Sequence, residues 1–315
     1  HLQTPAAQAA TPASSRSSLR TPLGQAMVFV QQHLFALDAL WIERDARHRT
    51  DLHALGLIEM AHAFGASIGI DLVAKASPDG HTMVLVNPSH AINATLMKKL
   101  PYDAVKDFKP ITILVRGANV LGVHPSSPYQ TVADLVATAK AKPGELVYAT
   151  SGNGTAQHLG FEQFKLDMGL DITHVPYRGA GPALNDLVSG QVQVGVLNIA
   201  GMLPHVQGGR IRALAVTSPK RSRYAPDVPS LAETAPGFDF TEWFALMAPA
   251  GVPDELVEKL YQAVAKAART PAFESKISEA GMELDLNTPT EFRELIDAEI
   301  AKFGDLVKRA NITVD

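Results

Sequence analysis

The chain has 315 residues, of which 46% are hydrophobic and 19% charged, and it carries a formal net charge of −4 at pH 7. This composition predicts a globular protein large enough for two domains and excludes an intrinsically disordered chain. The weak negative charge argues against a nucleic-acid-binding protein, because such proteins usually present a basic surface. The absence of cysteine excludes disulfide bonds, thiolate metal sites and a cysteine nucleophile.

The first part of the chain differs in composition from the rest. Residues 1–64 contain no lysine and only two glycines, and they hold five of the eleven histidines. Residues 1–20 predict a flexible leader, residues 27–30 a short strand, and residues 51–64 a helix capped by Thr50. No apolar stretch has membrane-spanning length and no signal peptide is visible, which fits a mature exported protein as well as a cytosolic one.

From Gly65 onward, strand patterns alternate with helix patterns. The predicted strands are residues 82–86, 111–115, 120–123, 146–148, 172–176, 192–198 and 211–217, and an apolar stretch at 243–247 leads into residues 248–253. The predicted helices are residues 70–76, 87–96, 131–141, 156–168, 182–189, 230–234 and 254–269, followed by a last helix capped by Thr288 with Pro289 and Glu291 in its first turn. This alternation indicates a parallel α/β architecture.

A turn of sequence Ser-Gly-Asn-Gly-Thr, residues 151–155, joins the predicted strand 146–148 to the predicted helix 156–168. A glycine-rich turn that opens a helix leaves backbone N–H groups unpaired at the positive end of the helix dipole, which predicts an anion site. The alternative is that these residues only form the turn and cap the helix. The stretch is neither a phosphate-binding P-loop nor a G-x-G-x-x-G motif.

The polar turns supply hydrogen-bond donors without an evident nucleophile or base. Those donors are Ser89, Ser151, Asn153, Thr155, Gln157, Tyr177 and Arg178. His90 follows a buried strand, where it is either a ligand contact or a capping or packing residue. No metal-ligand spacing and no Gly-x-Ser-x-Gly motif occurs, and Ser151 and His158 lack the spacing of a triad. The set suits binding better than turnover, and no cofactor or metal is expected.

Several stretches in a fixed order resemble one known family. They are GASIG (65–69), LVAKASPDGHT (72–82), LPYD (100–103), DFKPI (107–111), YATSGNGTAQH (148–158), HVPYRG (174–179) and APAGVP (248–253). Together they resemble the substrate-binding proteins of tripartite tricarboxylate transporters, the Bug family, from about residue 65 to the C-terminus. No single stretch is specific, but their order and spacing together are.

The resemblance implies a type II periplasmic binding protein, in which two α/β domains close over a ligand by a hinge motion. The expected domains are residues 1–119 plus 244–315, and residues 120–243. The expected ligand is a small carboxylate, namely a di- or tricarboxylate, an acidic amino acid or an aromatic acid. The expected partners are the membrane permease subunits, with no nucleic acid, and a monomer is the default for a hinged binding protein.

Carried over by position, the resemblance also implies the residues of the site. The expected ligand-binding residues are Ser89, His90, Ser151, Gly152, Asn153, Gly154, Thr155, Gln157, Tyr177, Arg178, Gly179 and Asn198. Residues 151–155 should hold a ligand carboxylate, and Ser89 and His90 should face it from the other domain. Arg178 should pair with a carboxylate in bidentate fashion, the alternative being a surface or hinge salt bridge. Relatives often carry an acidic residue at the position of Asn198, so asparagine argues for a ligand without a cationic group.

Residues 1–64 depart from the family, which there carries a Pro-Phe-x-x-Gly-Gly-x-x-Asp loop that forms one wall of the cleft. A reading-frame or sequencing error upstream of Gly65 would explain the departure, and real divergence is the alternative. Two other functions stay open from the sequence. One is an α/β enzyme acting on a carboxylated substrate through Ser151 and either His158 or His90. The other is a soluble ligand sensor for a membrane signalling partner.

Overall fold

A computed structural model of the chain describes residues 59–62 and 67–313, and two five-stranded sheets organise them. The first sheet has the order β1-β2-β9-β3-β10, formed by β1 (Glu59–His62), β2 (Thr82–Val86), β9 (Glu242–Pro249), β3 (Phe108–Gly117) and β10 (Glu283–Leu284). The second has the order β6-β5-β7-β4-β8, formed by β6 (Thr173–Pro176), β5 (Val147–Thr150), β7 (Val194–Asn198), β4 (Asn119–Val123) and β8 (Arg212–Val216).

Nine α-helices surround the two sheets in the described part of the chain. They are α1 (Ser67–Ala74), α2 (Ser89–Leu96), α3 (Val132–Ala141), α4 (Ala156–Met168), α5 (Ala180–Ser189), α6 (Ile199–Gln207), α7 (Asp254–Ala268), α8 (Pro271–Glu279) and α9 (Pro289–Arg309). Residues Leu231–Glu233 form a short 3-10 helix. Within the described ranges, no helix is long and apolar enough to cross a membrane.

The α/β class is confirmed, but the sheets are mixed, so the prediction of parallel strands is wrong for part of each sheet. Three pairs are parallel, namely β1 with β2, β5 with β6, and β5 with β7. Strands β3 and β9 pair antiparallel, as do β4 with β7 and β4 with β8. The reason is that β4 and β9 each directly follow a passage between the sheets, and each enters its new sheet against the direction of its neighbours.

The chain passes between the sheets twice. The first passage is the single residue Ala118 between β3 and β4, and the second is the segment between β8 and β9. At these passages Gly117 is registered with Glu242, and Asn119 is registered with Asn198. The division into domains 1–119 plus 244–315 and 120–243 stays a prediction. It corresponds to one sheet in each predicted domain.

The predicted caps at Thr131 and Thr288 are confirmed, that at Thr50 lies outside the described residues, and the structure adds a cap at Thr155. Thr131 forms a capping box with Asp134 at the start of α3, and Thr288 forms one with Glu291 at the start of α9. Thr155 caps α4 through a hydrogen bond that its Oγ1 accepts from His158 N–H. Each such cap stabilises a helix by about 1 kcal/mol because it satisfies an N–H group that has no partner inside the helix.

Some predicted elements differ from the structure. The predicted helix over residues 51–64 is wrong at Glu59–His62, where the chain forms β1 and pairs with β2. The rest of that helix, the strand over 27–30 and the leader over 1–20 lie outside the described residues. The sequence pattern also misses α6 and α8, which start directly after Asn198 and after Thr270. A lone proline inside α6 and a short apolar face on α8 explain both omissions.

One hydrophobic cluster joins elements of both sheets. It holds Ile92 and Leu96 of α2 and Phe303 of α9 together with Leu159 and Phe161 of α4. Each of these side chains is buried, and full burial of one such side chain stabilises the fold by about 1.5–3 kcal/mol. The cluster therefore fixes the start of α4, where the predicted anion site lies, beside α2.

Candidate ligand-binding site

Two glycines place the turn of residues 151–155 against its neighbours. Gly152 has φ 145° and Gly154 has φ 70°, values that side-chain-bearing residues rarely adopt. A Cβ at Gly152 would lie 3.2 Å from the Tyr177 carbonyl oxygen, and one at Gly154 would lie 2.9 Å from Leu96 Cδ2. The turn can therefore approach both the next turn of its own sheet and helix α2 only because it carries glycine at these positions.

The start of α4 keeps the features of an anion site. Thr155 Oγ1 accepts from His158 N–H at 3.3 Å and donates to the Gly152 carbonyl at 2.8 Å. The N–H groups of the first residues, Ala156 and Gln157, have no acceptor inside the helix, and they lie at the positive end of its dipole. The arrangement can hold a carboxylate through backbone donors.

The turn after β6 lies directly beside this one. Tyr177 N–H donates to the Thr150 carbonyl at 3.1 Å, and Gly179 N–H donates to the Ser151 carbonyl at 3.0 Å. These two bonds continue the β5–β6 pairing past the ends of the strands. Because of them, the turns of residues 151–155 and 177–179 form one polar edge of the second sheet.

Tyr177 and Arg178 differ in how far they are committed to other partners. The Tyr177 hydroxyl donates to Asp186 Oδ2 at 2.7 Å, and partial burial together with this carboxylate raises the pKa of Tyr177 to about 12. Arg178 is exposed, and its guanidinium makes no hydrogen bond or ion pair with another described residue. The salt-bridge alternative for Arg178 therefore has no partner among those residues, and its charge is available to a ligand.

Asn198 presents an unused donor at the end of β7. Its Oδ1 accepts from Ala200 N–H at 2.9 Å and caps α6. Its Nδ2 is buried and has no hydrogen-bond partner among the described residues. A buried amide donor without an acceptor costs about 1–3 kcal/mol, so an acceptor supplied by a ligand would be favourable there.

Ser89 and His90 lie at the start of α2 and are both buried. Ser89 N–H donates to Asn87 Oδ1 at 3.1 Å, and His90 Nε2 lies 2.8 Å from the Ala104 carbonyl, to which it must donate. The His90 ring stacks on Tyr102, and burial lowers the pKa of His90 to about 4. Neutral His90 is left with a bare Nδ1 lone pair, which cannot donate to a carboxylate. The geometry therefore favours the packing alternative for His90.

The two groups of the hydrolase alternative are engaged separately. Ser151 Oγ donates to Gln157 Oε1 at 3.1 Å, whereas His158 Nδ1 accepts from Gly154 N–H at 3.2 Å. The His158 ring stacks on His174 at 3.9 Å between centroids, and His174 Nε2 lies 2.7 Å from Thr150 Oγ1. Burial is the main cause that lowers the pKa of His158 to about 4 and that of His174 to about 3. His158 and His174 are hydrogen-bonded to Gly154 and Thr150, and neither is hydrogen-bonded to Ser151.

A chain of hydrogen bonds runs inward from the turn, and sequence reasoning missed its inner half. Gln157 Nε2 donates to Asn119 Oδ1 at 3.1 Å, and Asn119 Nδ2 donates to Glu242 Oε2 at 3.4 Å. Asn119 and Glu242 are almost fully buried. The available signal was their position, since each polar residue directly precedes an apolar strand pattern.

Two crevices lie outside this set of residues. One of about 220 Å³ is lined by Arg116, Glu299 and Lys302 among others, and one of about 660 Å³ by Lys109, Tyr261 and Arg293 among others. Neither includes any predicted site residue. The described residues contain no group of three or more His, Cys, Asp or Glu that could hold a metal ion. Neither crevice includes Arg178 or Asn198, whose donors have no partner among the described residues.

Comparisons with known proteins agree on one family. A family model described as the tripartite tricarboxylate transporter family receptor matches residues 47–312, so the match begins upstream of the residue 65 at which the resemblance becomes recognisable. Protein BugT of Bordetella pertussis is 34% identical over 247 residues, which cover 78% of this chain and 76% of that protein.

Two solved structures share the fold. A structure of R. palustris Rpa4515 with adipate has a TM-score of 0.74 at 36% identity and covers 80% of this chain and 85% of that one. The structure of the periplasmic binding protein BugD has a TM-score of 0.73 at 27% identity, with 79% and 84% covered. The expected periplasmic binding-protein fold and the Bug resemblance are both confirmed. The chain belongs to the tripartite tricarboxylate transporter family of receptors.

Proposed function

We propose that this protein captures a small dicarboxylate in the periplasm and delivers it to the permease subunits of a tripartite tricarboxylate transporter. The observation that carries the proposal is the cluster of unpaired donors at one edge of the second sheet. It combines the start of α4, the uncommitted guanidinium of Arg178 and the orphaned Nδ2 of Asn198. The adipate in Rpa4515, a protein of the same fold, supports a dicarboxylate in particular.

Different donors bind the two carboxylates of the ligand. The backbone N–H groups at the start of α4 hold one carboxylate, where the helix dipole adds about 0.3–1 kcal/mol. The Gly152 and Gly154 N–H groups are not among these donors, because they donate to Thr150 Oγ1 and His158 Nδ1. Arg178 holds the second carboxylate by charge-assisted hydrogen bonds, which contribute about 1.5–3 kcal/mol. Asn198 is neutral, so the site has no acidic partner there for an amino group. This favours a dicarboxylate over an acidic amino acid.

Closure of the two predicted domains would complete the site. The chain passes between the sheets at Ala118 and again before Glu242, and a hinge needs only a few residues that change their backbone angles. Ser89 at the start of α2 belongs to the first sheet's half of the molecule. Its role is to face the ligand from that half, as the resemblance implies.

The direct test is ligand binding to the purified protein by thermal shift and isothermal titration calorimetry. The panel is adipate, malate, citrate, glutamate and nicotinate, with adipamide as a neutral control of the same length as adipate. We expect one of the dicarboxylates to raise Tm, because a ligand that binds only the folded state at 100 times its Kd stabilises it by about 2.7 kcal/mol. Adipamide should have no effect. A protein that binds neither adipate nor malate contradicts the proposal.

A further inference from the structure

The hydrogen-bond chain from Ser151 to Glu242 has a direction. Ser151 donates to Gln157, Gln157 donates to Asn119, and Asn119 donates to Glu242. Every proton in this arrangement points inward, toward a carboxyl that acts only as an acceptor. Ser151 then has no proton left to donate to a ligand carboxylate.

The same heavy-atom positions allow the opposite direction. The oxygen and nitrogen of an amide side chain exchange places by a half-turn of the amide, and the two orientations differ only in their hydrogen-bond network. After both amides turn, Gln157 donates to Ser151 Oγ, Asn119 donates to Gln157, and Glu242 must donate to Asn119. This outward arrangement frees the Ser151 hydroxyl to donate to a ligand, and it requires a proton on Glu242.

We propose that a bound carboxylate selects the outward arrangement, so that ligand binding is coupled to a proton held on Glu242. The inference rests on the proposed function, since it assumes a carboxylate beside Ser151. Proton balance is simple. Above the pKa of free Glu242, one proton moves from solvent to the Glu242 carboxyl as the ligand binds, and no other bond forms or breaks.

The environment of Glu242 suits a protonated carboxyl. Its side chain is 1% exposed, and its Oε1 has no hydrogen-bond partner among the described residues. Burial is the main cause that raises the pKa of Glu242 to about 8, and nearby Glu299 raises it further, while the Asn119 hydrogen bond lowers it. An unpaired buried carboxylate oxygen is costly, whereas a carboxylic acid that donates to Asn119 uses its proton.

The charged groups around Glu242 and Glu299 lie on several elements. On α9, Glu299 accepts from Trp243 Nε1 at 2.9 Å, and Lys302 lies near enough to lower the pKa of Glu299. Arg116, at the end of β3, also lowers it and forms an ion pair with Asp285. Burial is the main cause that raises the pKa of Glu299 to about 7, and Asp239, in the segment between β8 and β9, raises it further. No cation among these is hydrogen-bonded to Glu242 itself.

Calorimetry with adipate, or with malate if the panel shows that only malate binds, tests the coupling in wild-type protein. Titrations at about pH 9 in two buffers of different ionisation enthalpy should show uptake of close to one proton per ligand, and at about pH 6 uptake near zero. The affinity should fall by up to about tenfold between pH 8 and pH 9. Tyr177, His158 and His174 do not titrate between these values, given their pKa values of about 12, 4 and 3.

Two variants assign the proton to its residue. Glu242→Gln carries a permanent donor toward Asn119, so its adipate binding should lose proton uptake and keep its affinity at about pH 9. Glu299→Gln is the matched control, and it should keep the uptake because Glu299 is outside the chain of hydrogen bonds. Should Glu242→Gln fail to fold, Glu299→Gln decides the question: uptake that persists in it leaves Glu242 as the other described carboxyl whose pKa is raised, and uptake that disappears overturns the inference.

The outcomes separate the two claims. Adipate binding without proton uptake at about pH 9, or uptake that persists in Glu242→Gln, overturns the inference and leaves the proposed function standing. If neither adipate nor malate binds, the proposed function falls and the inference falls with it. Uptake that disappears only in Glu242→Gln establishes the coupling.

Discussion

Asn119 and Glu242 directly follow the two passages of the chain between the sheets, and a hydrogen bond of 3.4 Å joins their side chains. Asn119 begins β4, and Glu242 begins β9. Asn119 also contacts the segment between β8 and β9 through Thr217. Thr217 Oγ1 accepts from Asn119 N–H at 2.9 Å and donates to the Phe240 carbonyl. Any hinge motion at these passages must act on this junction.

The first prediction concerns Asn119→Ala. The substitution leaves Gln157 Nε2 and Glu242 Oε2 buried without partners, which should lower the free energy of unfolding by about 2–4 kcal/mol. Urea denaturation measures the change. Asn153→Ala, at an exposed position of the same turn, is the control and should lie within about 0.5 kcal/mol of wild type. Equal stabilities for the two variants would show that the junction is not a stabilising contact.

The second prediction concerns Gly154→Ala. Alanine at position 154 would have to adopt a φ of 70°, which is strained for a residue with a side chain, and its Cβ would lie 2.9 Å from Leu96 Cδ2. Both the backbone strain and the clash with α2 should destabilise the fold. Gly169→Ala is the matched control, because Gly169 has φ 63° and nothing within 4 Å of the new Cβ. The difference in the free energy of unfolding between the two variants measures the clash alone.

We expect Gly154→Ala to be less stable than Gly169→Ala by about 1–3 kcal/mol and to bind ligand more weakly. The weaker binding follows because relief of the clash moves the turn that holds the carboxylate. Equal destabilisation of the two variants would contradict the close packing of the turn on α2.

Much of the second sheet's half could be predicted from the sequence because its signals are local. The cap at Thr155, the helix that follows it and the glycine turn each depend on residues within one stretch of chain. The family resemblance adds the order of those stretches. Such features survive in a sequence because caps and positive φ angles demand particular residue types.

What the sequence could not show depends on pairing at long range. Asn119 and Glu242 are 123 residues apart, and nothing in either stretch indicates that they meet. The mixed strand directions have the same origin, since antiparallel entry of β4 and β9 is set by the two passages and not by periodicity. His90 is a related case, because its packing role depends on contact with Ala104, Tyr102 and Phe108 across the first sheet's half.

The third prediction concerns Arg178→Gln. The guanidinium has no partner among the described residues, so its loss should leave Tm unchanged while it raises the Kd for adipate by about tenfold to a hundredfold, or about 1.5–3 kcal/mol. Arg178→Lys should restore only part of the affinity, because an ammonium cannot form the bidentate pair. Lys220→Gln, another exposed cation, controls for net charge. An Arg178→Gln variant that binds adipate as wild type does would remove Arg178 from the site.

The last prediction concerns stability against pH. Glu242 and Glu299 have folded pKa values of about 8 and 7, mainly through burial, and both lie above the ordinary 4.5. A group whose folded pKa is raised contributes stability that is fully present below the unfolded pKa and is lost as pH rises through the folded pKa. His90, His158 and His174 have folded pKa values of about 4, 4 and 3 against 6.5, so they lower stability as pH falls below 6.5.

Above about pH 6.5 the three buried histidines are neutral in both states, and the two buried carboxyls dominate this set of groups. Tm should therefore fall as pH rises from about 6.5 to about 8. Below about pH 6, Tm should also fall toward about pH 4, because the protons taken up by the three unfolded histidines then outweigh the effect of the two carboxyls. Differential scanning calorimetry across this range measures both limbs. Glu242→Gln should flatten the alkaline limb and steepen the acid limb, because from about pH 4.5 to about pH 8 native Glu242 keeps a proton that the unfolded state has lost. An alkaline limb of the same slope in that variant would mean that Glu242 is already ionised at neutral pH.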